Sequence, residues 1–203
     1  METIEKINYK GYEIETHYSE PFETPDEWGE QVFIVYDHKD FFLERKGFSP
    51  YNIFNYMNDG KKLYDGFWFF PVYAYIHSGV ALSLSRNGYP FTCGWDTSFK
   101  GFILVERVKG WSWKENQAYE IAESHIETWN IYLSGQIYGY YSEAGSCGGF
   151  YGDEGYKEMM AEAKGEIDGE IKYKREQHLK QVKTYIKNHV PLQVRKPIEA
   201  NLI

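Results

Sequence analysis

Cysteine is nearly absent from this chain, with two thiols, Cys93 and Cys147, in 203 residues. They are far apart, each sits beside glycine (Thr92-Cys93-Gly94 and Ser146-Cys147-Gly148-Gly149), and no Cys-x-x-Cys or Cys/His spacing accompanies them. That excludes a disulfide scaffold and makes free thiols the expected state. Long apolar runs are missing too. Nothing reaches the roughly 18 residues of a spanning helix, and Met1 to Lys6 lacks the basic and apolar segments of a secretory signal. The expectation is a cytoplasmic protein with no membrane association. The six histidines (His17, His38, His77, His125, His178, His189) show neither H-x-x-x-H nor H-E-x-x-H spacing, so no metal site is expected. There is no Walker or dinucleotide fingerprint and no G-x-S-x-G elbow, so no cofactor and no serine nucleophile are expected. Positive charge is also short: 22 Lys and Arg against 30 Asp and Glu leave a net −8. Broad, direct nucleic-acid binding is therefore not expected, although a local patch stays open. The acid excess is in turn too small to imitate a long stretch of duplex, whose phosphates come about one per 1.7 Å.

What the chain has in quantity is aromatic surface: 19 Tyr, 13 Phe and 6 Trp, or 19% of all residues. With 42% hydrophobic residues, the composition is that of a folded globular protein with a real core. The acidity is concentrated at the N-terminus, where residues 1–50 carry 12 acids and 5 bases. Residues 51–152 carry 9 and 7, and residues 153–203 carry 9 and 10.

Periodicity predicts the elements. Lys6 to Tyr18 alternates about Lys10-Gly11 as a β-hairpin does, Glu20 to Gly29 reads as a loop, and Val32 to Tyr36 as a buried strand. Ser49-Pro50 is a helix start, a hydroxyl cap followed by proline at the first helical position, and Asn58-Asp59-Gly60 is its stop. Phe67 to Ile76 and Val80 to Ser85 flank the turn His77-Ser78-Gly79 as a second hairpin, and Lys100 to Glu106 is a third strand of the same sheet. Ser112 and Glu115 have capping-box spacing ahead of a helix to about Trp129 whose apolar positions include Ile121 and His125 or Ile126. Gln136 to Tyr141 and Gly149 to Tyr151 read as a further hairpin on that sheet. Glu154 to about Asn188 is helical, with acid-before-base pairs at Asp168/Lys172, Glu170/Lys174 and Glu176/Lys180, and with Gly165 and Gly169 allowing either a kink or two helices. The fold class is α+β: an antiparallel sheet with packed helices and a long C-terminal helical segment. The expected division is a sheet domain over 1–152, which includes the acidic N-terminal segment 1–47, and a helical segment and tail over 153–203.

Candidate chemistry is sparse. His77, Cys93 and Asp96 lie in turns of one strand-rich unit and are the residues from which a thiol site would be built, but no signature surrounds Cys93 and the structural reading outweighs the catalytic one. Ser146 to Gly152 is rich enough in glycine to cradle an anion, but a tight turn explains it better. Glu143 and Asp153 read as solvated acids. The aromatic excess says more. Alternate members of Phe67 to Tyr75 must face a core, yet both faces of that strand carry large rings. Either the C-terminal helix covers the second face or a partner does, and Tyr and Trp suit docking because they join a large apolar area to a polar tip. The docking candidates are Tyr73, Tyr75, Trp95, Asp96, Tyr138, Tyr140, Phe150 and Tyr151.

The segments Val72 to Gly79, Trp95 to Ser98, Gly101 to Val105, Gly135 to Gly139 and Ser146 to Gly152 together resemble a group of small proteins carried by bacteriophages and mobile elements. The resemblance covers about residues 70–153 and brings no residue role with it. It implies an accessory protein that binds and inhibits a host protein or complex, for example a nucleic-acid-targeting defence complex in the manner of anti-CRISPR proteins. The alternatives are a small-ligand binder or thiol enzyme around His77, Cys93 and Asp96, and a structural homo-oligomer.

Overall fold

A computed structural model describes residues 3–21, 23–84, 90–91, 96–107, 114–192 and 194–195. The class is α+β, as expected, but the chain divides into two compact units whose boundaries differ from the expected ones. One comprises the N-terminal residues to Tyr18, Tyr138–Phe150 and Glu154 onward; the other comprises Ser19–Ile137 and Tyr151–Asp153.

In the first unit, β1 (Thr3–Tyr9) and β2 (Tyr12–Tyr18) form the expected hairpin. Its turn needs positive φ at both central residues, which Lys10 (51°) and Gly11 (88°) supply. Pairing then jumps across the chain: β2 lies antiparallel to β9 (Ile137–Ser142), with Thr16 opposite Tyr140, and β9 is bordered by β10 (Gly145–Tyr151). The late hairpin thus joins the N-terminal one in a separate four-stranded sheet, not the central sheet. The helix α3 (Gly152–His189) runs unbroken past Gly165 and Gly169. Its Met159, Ala163 and Ile167 close a core with Ile14 and Tyr140. Lys10 Nζ reaches Asp168 at 2.7 Å, and Lys174 Nζ reaches the Tyr12 hydroxyl at 3.0 Å. Of the three expected helical pairs only Glu170–Lys174 forms, at 3.3 Å; Asp168 is held instead by Lys10 of the hairpin.

The second unit is a six-stranded antiparallel sheet in the order β4 (Phe41–Leu43), β3 (Val32–His38), β8 (Thr97–Glu106), β6 (Phe67–Ile76), β5 (Leu63–Tyr64), with β7 (Val80–Leu84) also paired to β6. Alternation sends Ile34, Tyr36, Phe70, Val72, Ile103 and Val105 toward α2 (Glu115–Leu133), which contributes Ala118, Ala122, Ile126 and Trp129. Ser112 lies outside the described residues, and the first turn of α2 is closed by Gln117, whose side-chain oxygen accepts from the Lys114 N–H at 3.1 Å. On the opposite face Phe33, Val35, Phe69, Phe102 and Leu104 pack with Ile53 of α1 (Pro50–Asn58) and with Phe48 and Met57. The second aromatic face is therefore covered by α1 and the segment before it. The C-terminal helix, expected as one possible cover, belongs to the other unit.

Candidate functional site

A nine-residue helix cannot cover the whole of that face. Where the first turns of α1 lie beside β8, a groove of about 360 Å³ remains, lined by Tyr51, Phe54, Phe99 and Phe102, with Asp37 and Lys100 beside them. Local backbone geometry builds it. In β8 the register to β6 slips, so that Val72 faces Gly101 while Tyr73 faces Phe99, and Lys100 is the extra residue of a bulge. The bulge turns Phe99 to the α1 side, 5.4 Å from the Phe102 ring, 5.3 Å from Tyr73 and 6.0 Å from Phe54. Tyr51 is 72% exposed and Phe54 39%. A second groove of about 600 Å³ shares Asp37 and Pro50 with the first and runs beneath Phe42, which is 57% exposed. Single exposed rings are ordinary, but rings lining adjoining grooves on one face form the kind of patch that marks a contact site.

The sequence-based docking residues are placed otherwise. Tyr73 is half-buried against Phe99, and Tyr75 is half-buried between His77 and Phe91. Tyr138 packs edge-on to Tyr156, Phe150 near Tyr140, and Tyr151 edge-on to Trp28. Tyr140 is 0% exposed and offers no surface. Trp95 and Cys93 lie outside the described residues. Asp96 is half-buried with its Oδ2 3.5 Å from Nδ1 of the exposed His77, so the turns do bring those two together.

A polar cluster that the sequence reading missed lies elsewhere in the same unit. The Asp26 carboxylate accepts from the Ile34 N–H at 2.9 Å and from the Trp129 indole N–H at 2.7 Å, and it lies 2.7 Å from His125 Nε2. Asp26 follows Pro25 in a short 3₁₀ turn that Thr24 and Glu27 cap reciprocally. His125 borders a cleft of about 590 Å³ that also holds Trp28, Glu30, Gln31 and Glu106. None of the described residues lining it is a hydroxyl or thiol nucleophile. The arrangement fits a tie that joins turn, strand and helix. The only hint in the sequence is the Thr-Pro-Asp-Glu run, which has capping-box spacing.

In the first unit Cys147 is exposed at the surface of β10. Partial enclosure first, and then the Glu162 carboxylate, raise its thiol above the ordinary range, the opposite of an activated nucleophile. Enclosure and then Glu166 likewise push the Tyr140 phenol well up. In a Cys93→Ser background, Cys147 alkylates more slowly with iodoacetamide at pH 8 than an unfolded control. Glu162→Gln speeds it, because removing the nearby negative charge lowers the thiol's pKa.

Among the described residues no group of three His, Cys, Asp or Glu is placed to hold a metal ion, and no helix is long and apolar enough to cross a membrane. No protein-family model, no curated protein and no solved structure matches the chain.

Proposed function

We infer that this is a binding protein that takes a segment of a protein partner into the aromatic groove between α1 and β8. The observation that carries this reading is the pairing of the well-exposed Tyr51 ring and the partly exposed Phe54 ring with a preformed trough that Phe99 and Phe102 of the sheet also line. An aromatic anchor beside a pocket is the arrangement that concentrates binding energy in protein interfaces. Asp37 and Lys100, on the neighbouring strands β3 and β8, both line the groove and favour an apolar segment that carries polar or charged groups beside its apolar part. Joined to the resemblance to phage and mobile-element proteins, the reading becomes an accessory protein that binds and inhibits a host component, for example a nucleic-acid-targeting defence complex.

The test compares the wild-type chain with Tyr51→Ala/Phe54→Ser on host lysate. Tyr51 is largely exposed while Phe54 keeps part of its ring against Phe99, so the expected loss of stability in the variant is about 1–2 kcal/mol, and circular dichroism checks that it stays folded. The expected outcome is that a specific host protein is retained by the wild type and retention falls at least tenfold in the variant, about 1.4 kcal/mol or more. Equal retention by both would assign the contact to another surface.

A further inference from the structure

α3 carries a long exposed line. Away from the buried Met159, Ala163 and Ile167 run Glu154, Glu158, Ala161, Gly165, Gly169, Lys172, Glu176, Lys180, Lys183 and Lys187, at spacings of three and four, and every one is exposed. Charge is segregated along the helix: residues 153–171 hold seven acids and two bases, and residues 172–189 hold six bases and one acid. A helix dipole favours acids in its first turn and bases in its last, but that preference fades within a turn and leaves the interior pattern unexplained. Among the described residues, Lys172, Lys180, Lys183 and Lys187 have no carboxylate within ion-pair distance.

The line is complementary to itself when reversed. Glu154 and Lys187, Glu158 and Lys183, Gly165 and Glu176, and Gly169 and Lys172 are each centred on the same point, between residues 170 and 171. Reversal therefore sets acid against base at both ends and a long side chain over a glycine in the middle. Space beside Gly165 and Gly169 is open, with nothing within 4 Å of a Cβ built on either. Each glycine costs a helix interior about 1 kcal/mol relative to alanine, and close approach of another helix is a physical use for it.

We propose that a second copy of this chain docks along the exposed face of α3 in antiparallel orientation, about a two-fold axis near Gly169 and Lys172. The interface is isologous, as a two-fold dimer requires, because the same line supplies both sides. Its attraction is carried mainly by matched exposed charges, so the dimer is reversible and weakened by salt. The proposal is independent of the groove and stands or falls separately from it.

The experiment is sedimentation equilibrium of the full chain at about 10 mM and about 1 M salt, where the screening lengths are about 30 Å and 3 Å. The wild type is expected to form a dimer whose dissociation constant rises at least tenfold at the higher salt. Lys183→Glu/Lys187→Glu and Glu154→Lys/Glu158→Lys are each expected to be monomeric, with helical circular dichroism retained, and their equimolar mixture to recover the dimer mass. Recovery on mixing separates lost charge pairing from lost folding. A wild type monomeric at low salt and near-millimolar concentration, dimers unaffected by either double substitution, or two folded variants that stay monomeric when mixed would each overturn the proposal.

Discussion

Gly101→Ala lowers the stability of the six-stranded unit by about 3 kcal/mol and its melting temperature by about 10 °C. In an ordinary strand the same change is neutral or favourable, since glycine loses more backbone freedom on folding. Here the reason is steric. A Cβ on Gly101 would stand 2.2 Å from Cδ2 of Tyr36 and 2.5 Å from the Val35 carbonyl oxygen. The carbonyl belongs to the paired strand β3, in which Tyr36 lies opposite Gly101, and cannot yield without breaking the ladder. Tyr36 is 0% exposed, and its hydroxyl donates to the Ser98 carbonyl oxygen at 2.7 Å, so the ring cannot swing away cheaply either. The effect reaches the groove, because Gly101 and Ser98 flank the bulge that turns Phe99 toward α1. Thermal unfolding followed by near-ultraviolet circular dichroism reads the cost. A melting temperature unchanged within 2 °C, roughly the shift from half a kcal/mol, would contradict this packing.

Asp26→Ala is the second large effect, about 3–4 kcal/mol, because it strands three donors at once. The Ile34 amide, the Trp129 indole and the His125 ring converge on one carboxylate, and Asp26 and His125 are each only 15% exposed at the side chain. A buried polar group left without a partner costs about 1–3 kcal/mol, and partial access to water reduces the sum. Asp26→Asn keeps an acceptor and the shape, and its expected cost is about half. Trp129 is 2% exposed, so its fluorescence in the folded variants reports entry of water beside the indole. A loss below 1 kcal/mol for Asp26→Ala would show that the three donors find other acceptors.

Local features were the readable part of the sequence. The Lys10-Gly11 turn, the Ser49-Pro50 helix start and the Phe67–Leu84 hairpin rest on neighbouring residues, and each has its expected place, although the expected hydroxyl cap does not form: the Ser49 side chain makes no hydrogen bond to the first turn of α1. The Asp65-Gly66 turn that joins β5 to β6 has positive φ at both residues, 48° and 86°, and is an equally strong signal that the sequence reading passed over. Pairing between distant segments was not readable. Nothing near Tyr12–Tyr18 indicates that its partner is Tyr138–Tyr141, because an exposed edge fits many strands and only the common cover by α3 selects this one. The candidate site shows the same limit. Aromatic excess was evident from composition, but which rings face water depends on how far α1 reaches over the sheet. Phe69 is enclosed for that reason, while Tyr51 and Phe54, on the helix itself, are left outside.

The most direct test of the central claim is site-specific photo-cross-linking in host cells, with a photoreactive side chain at Tyr51 and, as a control of similar exposure, at Tyr141 in the other unit. A groove that holds a partner predicts one discrete adduct to a host protein from position 51, lost on Phe54→Ser, and none of comparable yield from position 141. No adduct from position 51, or the same adducts from both positions, contradicts the account.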